Sequence, residues 1–343
     1  MLKWKGYQKG VNLGGWLSQC DHTTEGYENF IVREDFAVIK SWGLDHVRIP
    51  VDYELVQDAD GNIIEDGFKY IQCALDWCGE NGLNMILDLH KTAGFSFDVG
   101  EQEAGFFENE GLQERFYSVW EEFARRYAEQ YKSRLAFELL NEVTDPAVNT
   151  TWNRIADTCI KRIRKISPEI TILVGGYWNN SVEAVKDIHV TFDEHIVLNC
   201  HCYEPLVFTH QNAFWVPDLR GYRIGFDHTC REFFEETQKY LAPQGGSLIT
   251  QPNPDELLGG DYYKYFFEQA VAVAEKHNVA LYCGEYGVID HVSAEDTLKW
   301  YKAINEAFKE YGIGHAAWSY REMNFGLTNK KLDSVRNELI KYL

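Results

Sequence analysis

The chain has 343 residues, of which 45% are hydrophobic and 25% are charged, a balance typical of a folded globular protein rather than a disordered or fibrous one. Its 33 Lys and Arg against 53 Asp and Glu give a formal net charge of −20 at pH 7. Such a charge repels nucleic acid and anionic membrane surfaces, so neither is expected as a partner.

The cysteines and the apolar segments exclude further classes. The eight cysteines form no Cys-x-x-Cys pair, which predicts mainly reduced core thiols rather than a metal ribbon or a disulfide framework. The chain contains no run of 18 apolar residues, which a membrane span would need. It also does not open with an apolar run like that of a signal peptide. The sequence therefore fits a cytoplasmic protein and equally a secreted one whose signal has been removed.

Short apolar runs alternate with amphipathic helical stretches along the chain. The predicted strands lie at 9–13, 44–49, 84–90, 135–141, 170–174, 195–203, 279–284 and 314–318. Helical spacing is plain between them, as at Phe116, Val119 and Trp120. Eight such units predict an α/β protein with a (β/α)8 TIM barrel. An open doubly wound sheet is disfavoured, because the turn at 11–16 lacks the Gly-rich phosphate pattern.

One connection is far longer than an ordinary βα loop. It follows the sixth strand and predicts an inserted subdomain at 206–260, beside the active-site end of a single domain that spans 1–343. Within it, 231–241 predicts a helix, and 243–246 and 251–254 predict turns. Four of its aromatic residues either line a cleft wall or form the insertion's own core. They are Phe208, His210, Trp215 and Tyr222.

Two carboxylates are predicted at the carboxyl ends of strands, where barrel enzymes place their chemistry. The apolar run at 136–143 ends in Asn141 and Glu142, and the run at 280–287 ends in Glu285. By strand count these positions end strands four and seven, so both carboxylates face the same end of the barrel. Glycoside hydrolysis needs such a pair, one carboxyl as proton donor and one carboxylate to attack the anomeric carbon.

With these residues in view, the chain resembles glycoside hydrolase family 5, the retaining cellulases. The Asn-Glu run at 135–144 fits the family's signature, and the resemblance covers the whole chain. Six further segments match in order: Asn-Leu-Gly-Gly-Trp at 12–16, His-Val-Arg-Ile-Pro at 46–50, Leu-Asp-Leu-His at 87–90, Asn-Cys-His-Cys-Tyr at 199–203, Gly-Glu-Tyr-Gly at 284–287 and Ala-Trp-Ser-Tyr at 317–320.

The resemblance implies a role for eight residues and a double-displacement mechanism that needs no metal and no cofactor. Glu142 would be the acid/base and Glu285 the nucleophile. The implied substrate-binding residues are Arg48 and Tyr203 at the nucleophile, Asn141 at the sugar 2-hydroxyl, His201 near the acid/base, His90 at the cleaved sugar and Trp318 as a stacking platform. We expect the charge of Glu285 to raise the pKa of Glu142.

Other interpretations of single residues stay open at this point. Arg48 could form a structural ion pair, and Trp318 could be plain core. His90 and His201 could be core histidines or metal ligands, but no third ligand at regular spacing supports a metal site. Two positions depart from the family pattern: Lys91 replaces a frequent second histidine, and Asn324 replaces a frequent aspartate. Both affect the expected sugar contacts more than the catalysis.

The resemblance implies a β-glucan polysaccharide or oligosaccharide as the partner of a monomeric enzyme. It favours an endo-β-glucanase that acts on β-1,4-glucan or mixed-linkage glucan. An exo-β-1,3-glucanase or a β-mannanase of the same family is the alternative, and the segment at 12–16 also occurs in exo-β-1,3-glucanases. From a different class, a carbohydrate-binding protein on an inactive barrel is disfavoured, because Asn141 and both glutamates are present.

Overall fold

Eight parallel strands close into a barrel in the computed structural model of the protein, which describes residues 1–98, 100–241 and 252–343. Each strand pairs with its neighbours in chain order, and β8 closes on β1. The strands are β1 (Lys9–Asn12), β2 (His46–Asp52), β3 (Asn84–Lys91), β4 (Leu135–Glu138), β5 (Thr171–Gly175), β6 (Ile196–His201), β7 (Ala280–Tyr286) and β8 (Gly314–Ala317). The predicted (β/α)8 TIM barrel is confirmed.

Helices cover the outside of the barrel. They are α1 (Thr24–Asn29), α2 (Arg33–Ser41), α3 (Phe68–Asn81), α4 (Glu110–Phe123), α5 (Glu129–Tyr131), α6 (Asn149–Ile166), α7 (Tyr177–Asn180), α8 (Leu206–Thr209), α9 (Cys230–Leu241), α10 (Gly260–His277), α11 (Ala294–Tyr311) and α12 (Arg336–Leu339). In α4, Phe116, Val119 and Trp120 are buried as their spacing predicts. The Asn109 side chain caps this helix by accepting from two backbone N–H groups.

Two predicted strands are too long by two or more residues at their carboxyl ends. β4 stops at Glu138, so Asn141 and Glu142 lie in the loop that follows it rather than at its last positions. β6 stops at His201, two residues before Tyr203. Both segments stay apolar beyond the ladder because the loops are buried beneath the barrel mouth, and apolar character alone does not mark where pairing ends.

The amino-terminal half of the barrel interior is filled by a cluster of buried, mostly apolar side chains. Its members are Tyr7, Ile86, Ala136, Leu173, Val197, Ala280, Tyr282 and Ala316. Among them lies His46, whose Nδ1 bonds Asp45 at 2.7 Å and whose Nε2 bonds the Tyr282 hydroxyl at 2.6 Å. This end of the barrel is closed and packed, so a ligand site is confined to the opposite, carboxyl end.

The long segment after β6 contains α8, a 3-10 turn at Pro217–Leu219 and α9. The predicted helix at 231–241 is confirmed as α9. The predicted turn at 243–246 lies outside the described residues, as does the first residue of the one at 251–254. The segment is joined to the barrel, since the Ile289 N–H donates to the Thr209 carbonyl and both Tyr263 and Trp300 donate to the Glu204 carbonyl.

Within the described part of the chain, no helix is long and apolar enough to cross a membrane. All eight cysteines are free thiols there. Six of them are buried, and Cys20 and Cys73 are half-buried. Most of the thiols therefore lie in the core, as predicted.

The closed end of the barrel gives a stability prediction with a matched control. Tyr282→Phe removes the hydroxyl that His46 Nε2 accepts from, and the stranded buried acceptor should cost about 1 to 3 kcal/mol. Tyr301 is equally buried, but its hydroxyl has no hydrogen-bond partner among the described residues. Tyr301→Phe should therefore change the unfolding free energy little. Urea unfolding of both variants tests this, and equal losses would contradict it.

Candidate active site

The two predicted carboxylates meet at the carboxyl end of the barrel. Glu142 follows β4 with a left-handed backbone conformation (φ 44°), and Glu285 lies in β7. An oxygen of each lies within 4.8 Å of the other and of the His201 Nδ1. This short separation is the one found in retaining glycosidases, where no water fits between the carboxyl groups.

A β-bulge in β7 turns Glu285 inward. Cys200 of β6 pairs with Cys283 of β7, but the next residue, His201, pairs with Glu285, so Gly284 is the extra residue. Tyr282 faces the barrel interior, and simple alternation would send Glu285 to the outside. The bulge reverses this, and a Cβ at Gly284 would lie 2.7 Å from Asn199 Oδ1 and 3.0 Å from His201 Nε2.

Arg48 is the buried hub of the site. Its guanidinium bonds the carboxylate of Glu138 twice, both at 2.7 Å, and reaches Glu285 Oε1 at 2.8 Å. It also donates to the side-chain oxygens of Asn12 and Asn141 at 2.9 and 2.8 Å. Arg48 thus forms an ion pair, as the structural interpretation allowed, and touches the predicted nucleophile as the resemblance implied.

The hub holds more negative than positive charge. Asp88 Oδ2 lies 3.1 Å from Arg48, so one guanidinium faces the carboxyls of Asp88, Glu138 and Glu285. Burial raises the pKa of Asp88 to about 7 and also raises the pKa of Glu138, while Arg48 opposes both shifts. Sequence reasoning missed Asp88 and Glu138, although both stand in matched segments.

Glu285 is the carboxyl with a cation in contact. Arg48 donates to Oε1, and the Tyr203 hydroxyl donates to Oε2 at 2.8 Å. Burial raises the pKa of Glu285, and the Arg48 cation works against this shift. Two donors, one of them a permanent cation, favour the ionised form of this carboxylate.

Glu142 has no cation in hydrogen-bond contact. Oε1 lies 2.8 Å from His201 Nδ1, and Oε2 accepts from the Asn179 amide at 2.8 Å. The pKa of Glu142 is raised to about 7, chiefly by burial, and the Asn179 bond works against this shift. The expected direction is thus present, but its main cause is the loss of water rather than the charge of Glu285. Burial likewise lowers the pKa of His201 to about 4, which keeps the imidazole neutral.

His90 and Trp318 form one stacked surface. Their rings lie 5.6 Å apart at an interplanar angle of 5°, and Nδ1 of His90 bonds Asp88 at 2.6 Å. The His90 Nε2 and the Asn141 amide nitrogen are buried and have no partner among the described residues. These two polar atoms can therefore serve a bound ligand.

The two departures from the family pattern have structural contacts. Lys91 is buried and bridges the carboxylates of Glu54 and Glu101, each at 2.5 Å. Asn324 has a left-handed φ of 61°, and its carbonyl accepts from the Asp290 N–H at 2.7 Å. Lys91 therefore ties the loop after β3 to the one after β2, a contact between loops that a single sequence cannot show.

Glu142, His201 and Glu285 are also the described residues best spaced to hold a metal ion, since one ligand atom of each lies within 4.8 Å of the others. Hydrogen bonds account for the same arrangement, because Arg48, Tyr203 and Asn179 occupy the other carboxylate positions. His90 is not in this group, so the two histidines do not form a common ligand set.

The four aromatic residues of the insertion divide into two pairs. Phe208 packs against Phe226 and Phe233, and the Tyr222 hydroxyl donates to Glu236 of α9, so both pack within the segment that follows β6. The other pair points toward the site: His210 stacks edge-on against Tyr203 at 5.0 Å, and Trp215 lies 6.4 Å from Phe325.

The comparisons with known proteins show the family of the chain. Residues 7–324 match the family described as Cellulase (glycosyl hydrolase family 5). The chain is 49% identical to cellodextrinase A of Ruminococcus flavefaciens over 316 residues, covering 91% of this chain and 85% of that protein. It is 34% identical over 345 residues to endoglucanase C of Acetivibrio thermocellus, with 98% of each covered.

Solved structures show the same fold. The clostridial cellulose synthase subunit Z of Clostridioides difficile superposes with a TM-score of 0.76 at 26% identity, covering 98% of this chain and 99% of that one. Endoglucanase Cel5A of Thermotoga maritima superposes with a TM-score of 0.75 at 23% identity, covering 98% and 97%. At 23% identity, the similarity to Cel5A shows the fold alone.

The bulge gives a prediction about the site. In Gly284→Ala the new methyl must displace His201 or Asn199, and a shift of about 1 Å at the carboxylates should lower kcat/KM by roughly a hundredfold. Gly225→Ala is the control, because its Cβ meets only Asp296 Oδ2 at an ordinary 3.6 Å. Hydrolysis rates and melting curves of both variants test this. Full activity in Gly284→Ala would show that the bulge does not position the site.

Proposed function

The chain belongs to the cellulase family, glycosyl hydrolase family 5, so it is a glycoside hydrolase, and we propose that it cleaves β-1,4-glucans with retention of anomeric configuration. The observation that supports this most is the unequal environment of two carboxyls held close together. Glu285 contacts the Arg48 cation, whereas Glu142 is buried without one and has a pKa of about 7.

In the first step Glu285 attacks the anomeric carbon as an ionised nucleophile. Arg48 and Tyr203 orient its two oxygens, so one lone pair is aimed at the sugar. Glu142, protonated below a pH of about 7, donates its proton to the departing glycosidic oxygen. The product is a glycosyl ester on Glu285 and a free sugar alcohol.

In the second step water cleaves the ester. Esterification removes the negative charge of Glu285, a like charge close to Glu142, and its loss favours ionisation of Glu142. Glu142 now acts as a base, takes a proton from water, and the hydroxide attacks the anomeric carbon from the face that the leaving group vacated. Two inversions give net retention.

The stacked surface of Trp318 and His90 supports the placement of the glycone sugar. An indole face suits the apolar face of a glucose ring, and the unpartnered His90 Nε2 and Asn141 amide can bond its hydroxyls. Asn141 is itself fixed by Arg48, so the hub that orients the nucleophile also orients this sugar contact.

The substrate class rests on the relatives. Cellodextrinase A is named for cellodextrins and endoglucanase C for glucans, and both match nearly all of this chain. We propose β-1,4-glucan, including mixed-linkage glucan, as the substrate. We also propose that 206–260 is a subdomain beside the cleft, since His210 and Trp215 contact Tyr203 and Phe325 at the barrel mouth.

Retention is the first prediction of this mechanism. Proton NMR of freshly cleaved cellotetraose should show the β-anomer first, followed by slow mutarotation, because each of two displacements inverts the anomeric carbon. An α-anomer in the earliest spectra would rule out double displacement.

The variants of the two glutamates should differ in activity when the leaving group of the substrate is changed. Glu285→Gln and Glu142→Gln should both lose orders of magnitude in kcat on a glucan, because both groups act in one mechanism. A dinitrophenyl cellobioside needs no protonation of its leaving group. Glu142→Gln should therefore release a burst of dinitrophenol and then stall, while Glu285→Gln stays inactive. Equal behaviour of the two variants would mean that their roles are misassigned.

Trp215→Ala tests the insertion. If Trp215 binds sugars far from the cleaved bond, the variant should have a raised KM on long glucans. Hydrolysis of a short aryl cellobioside should be nearly unchanged, because only long chains reach Trp215. A lowered Tm with equal damage on both substrates would instead place Trp215 in the packing of the insertion.

A further inference from the structure

Asn179 contacts the proposed acid/base but has no part in the mechanism described so far. Its amide nitrogen donates to Glu142 Oε2 at 2.8 Å, on the opposite oxygen from His201, whose Nδ1 lies 2.8 Å from Oε1. Both oxygens of the Glu142 carboxyl are thus hydrogen-bonded, one to a side chain from α7 and the other to a side chain from β6.

The backbone around Asn179 has an unusual conformation. Three consecutive residues of α7, Trp178, Asn179 and Asn180, are left-handed, with φ of 48°, 56° and 55°, so this short element is not a regular α-helix. Glu142 is left-handed as well, and the Asn179 N–H donates to the carbonyl of Val143 at 3.0 Å. Such conformations are rare outside glycine, asparagine and aspartate, and they persist only where the surroundings fix them. The left-handed segment at 178–180 is therefore joined to the left-handed Glu142 and its neighbour Val143 by one backbone hydrogen bond and one side-chain hydrogen bond.

We propose that Asn179 is a positioning residue that fixes the carboxyl plane of Glu142 and keeps the transferable proton on Oε1. The proposal rests on the proposed role of Glu142 as the acid/base. An amide N–H donates to a carbonyl or ionised oxygen, so its bond to Oε2 favours the carboxyl form with the hydroxyl at Oε1. In the first step Oε1–H gives its proton to the leaving oxygen, and in the second Oε1 takes a proton from water.

Oε1 is the oxygen on the side of the nucleophile. His201 Nδ1 is 2.8 Å from it and 3.7 Å from Glu285 Oε2, whereas Oε2 of Glu142 is bonded to Asn179, so we assign Oε1 as the oxygen that meets the glycosidic bond. The Asn179 bond also favours the ionised carboxylate, against burial. The titratable and charged groups around Glu142 are Arg48, Asp88, His90, Glu138, His201, Tyr203 and Glu285.

Two substitutions at Asn179 test this without straining the backbone. Asn179→Asp keeps the size and tolerates left-handed φ, but it places a carboxyl where the donor was. Asn179→Gly removes the side chain and accepts the same φ. Both changes should keep Glu142 protonated to higher pH, so the basic limb of kcat/KM on cellotetraose should move up, by about one pH unit or more in Asn179→Asp and by less in Asn179→Gly.

Asn278→Asp is the matched control. Asn278 is a left-handed, exposed residue that ends α10 just before β7, at the closed end of the barrel. Its variant should keep the parent's pH profile. If the Asn179 variants also keep the parent's profile and rate, the proposal is wrong.

Two further measurements separate the remaining outcomes. If cellotetraose hydrolysis falls below detection in the Asn179 variants, a normal dinitrophenol burst from the aryl cellobioside with slow turnover supports the proposal, because that first step needs no acid. Absence of the burst overturns it. Glu142→Gln is measured alongside: full activity there refutes the proposed function itself, whereas an inactive Glu142→Gln with unmoved Asn179 variants refutes only the role of Asn179.

Discussion

The buried guanidinium of Arg48 is the interaction on which the rest of the site depends. It is fully buried in the barrel and bonds side chains from β1, β3, β4 and β7 as well as Asn141 in the loop after β4. A buried cation is costly unless it is paired, and here its donors are shared among several acceptors. The same charge therefore stabilises the mouth of the barrel and fixes both Glu285, the proposed nucleophile, and Asn141, the proposed sugar contact.

This single cation also makes two similar carboxyls behave differently. Glu285 is in contact with Arg48, and Glu142 is not, so burial acts on Glu142 with less opposition and brings its pKa to about 7. The Arg48 contact favours ionisation of Glu285 over ionisation of Glu142, and an attack with simultaneous proton donation needs one ionised and one protonated carboxyl. The neutral His201 lies between them and adds no charge.

The sequence predicts the barrel, its strand order and the family, because hydrophobic periodicity and strand-end motifs are local signals. The structure places all eight of the implied site residues at one end of the barrel. Their catalytic and binding roles stay predictions. The sequence does not show the bulge at Gly284, since alternation alone would point Glu285 outward. It also misses Glu138, whose burial depends on Arg48 from another strand, and Asn179, whose left-handed conformation is set by tertiary contacts.

Trapping of the covalent intermediate tests the central claim most directly. A 2-deoxy-2-fluoro cellobioside with a dinitrophenyl leaving group slows both displacements, and the activated leaving group lets the ester accumulate. Peptide mass spectrometry of the inactivated protein should then find one fluorocellobiosyl group on Glu285. A label on Glu142, or inactivation without any covalent adduct, would contradict the assignment of an ionised Glu285 held by Arg48 as the nucleophile.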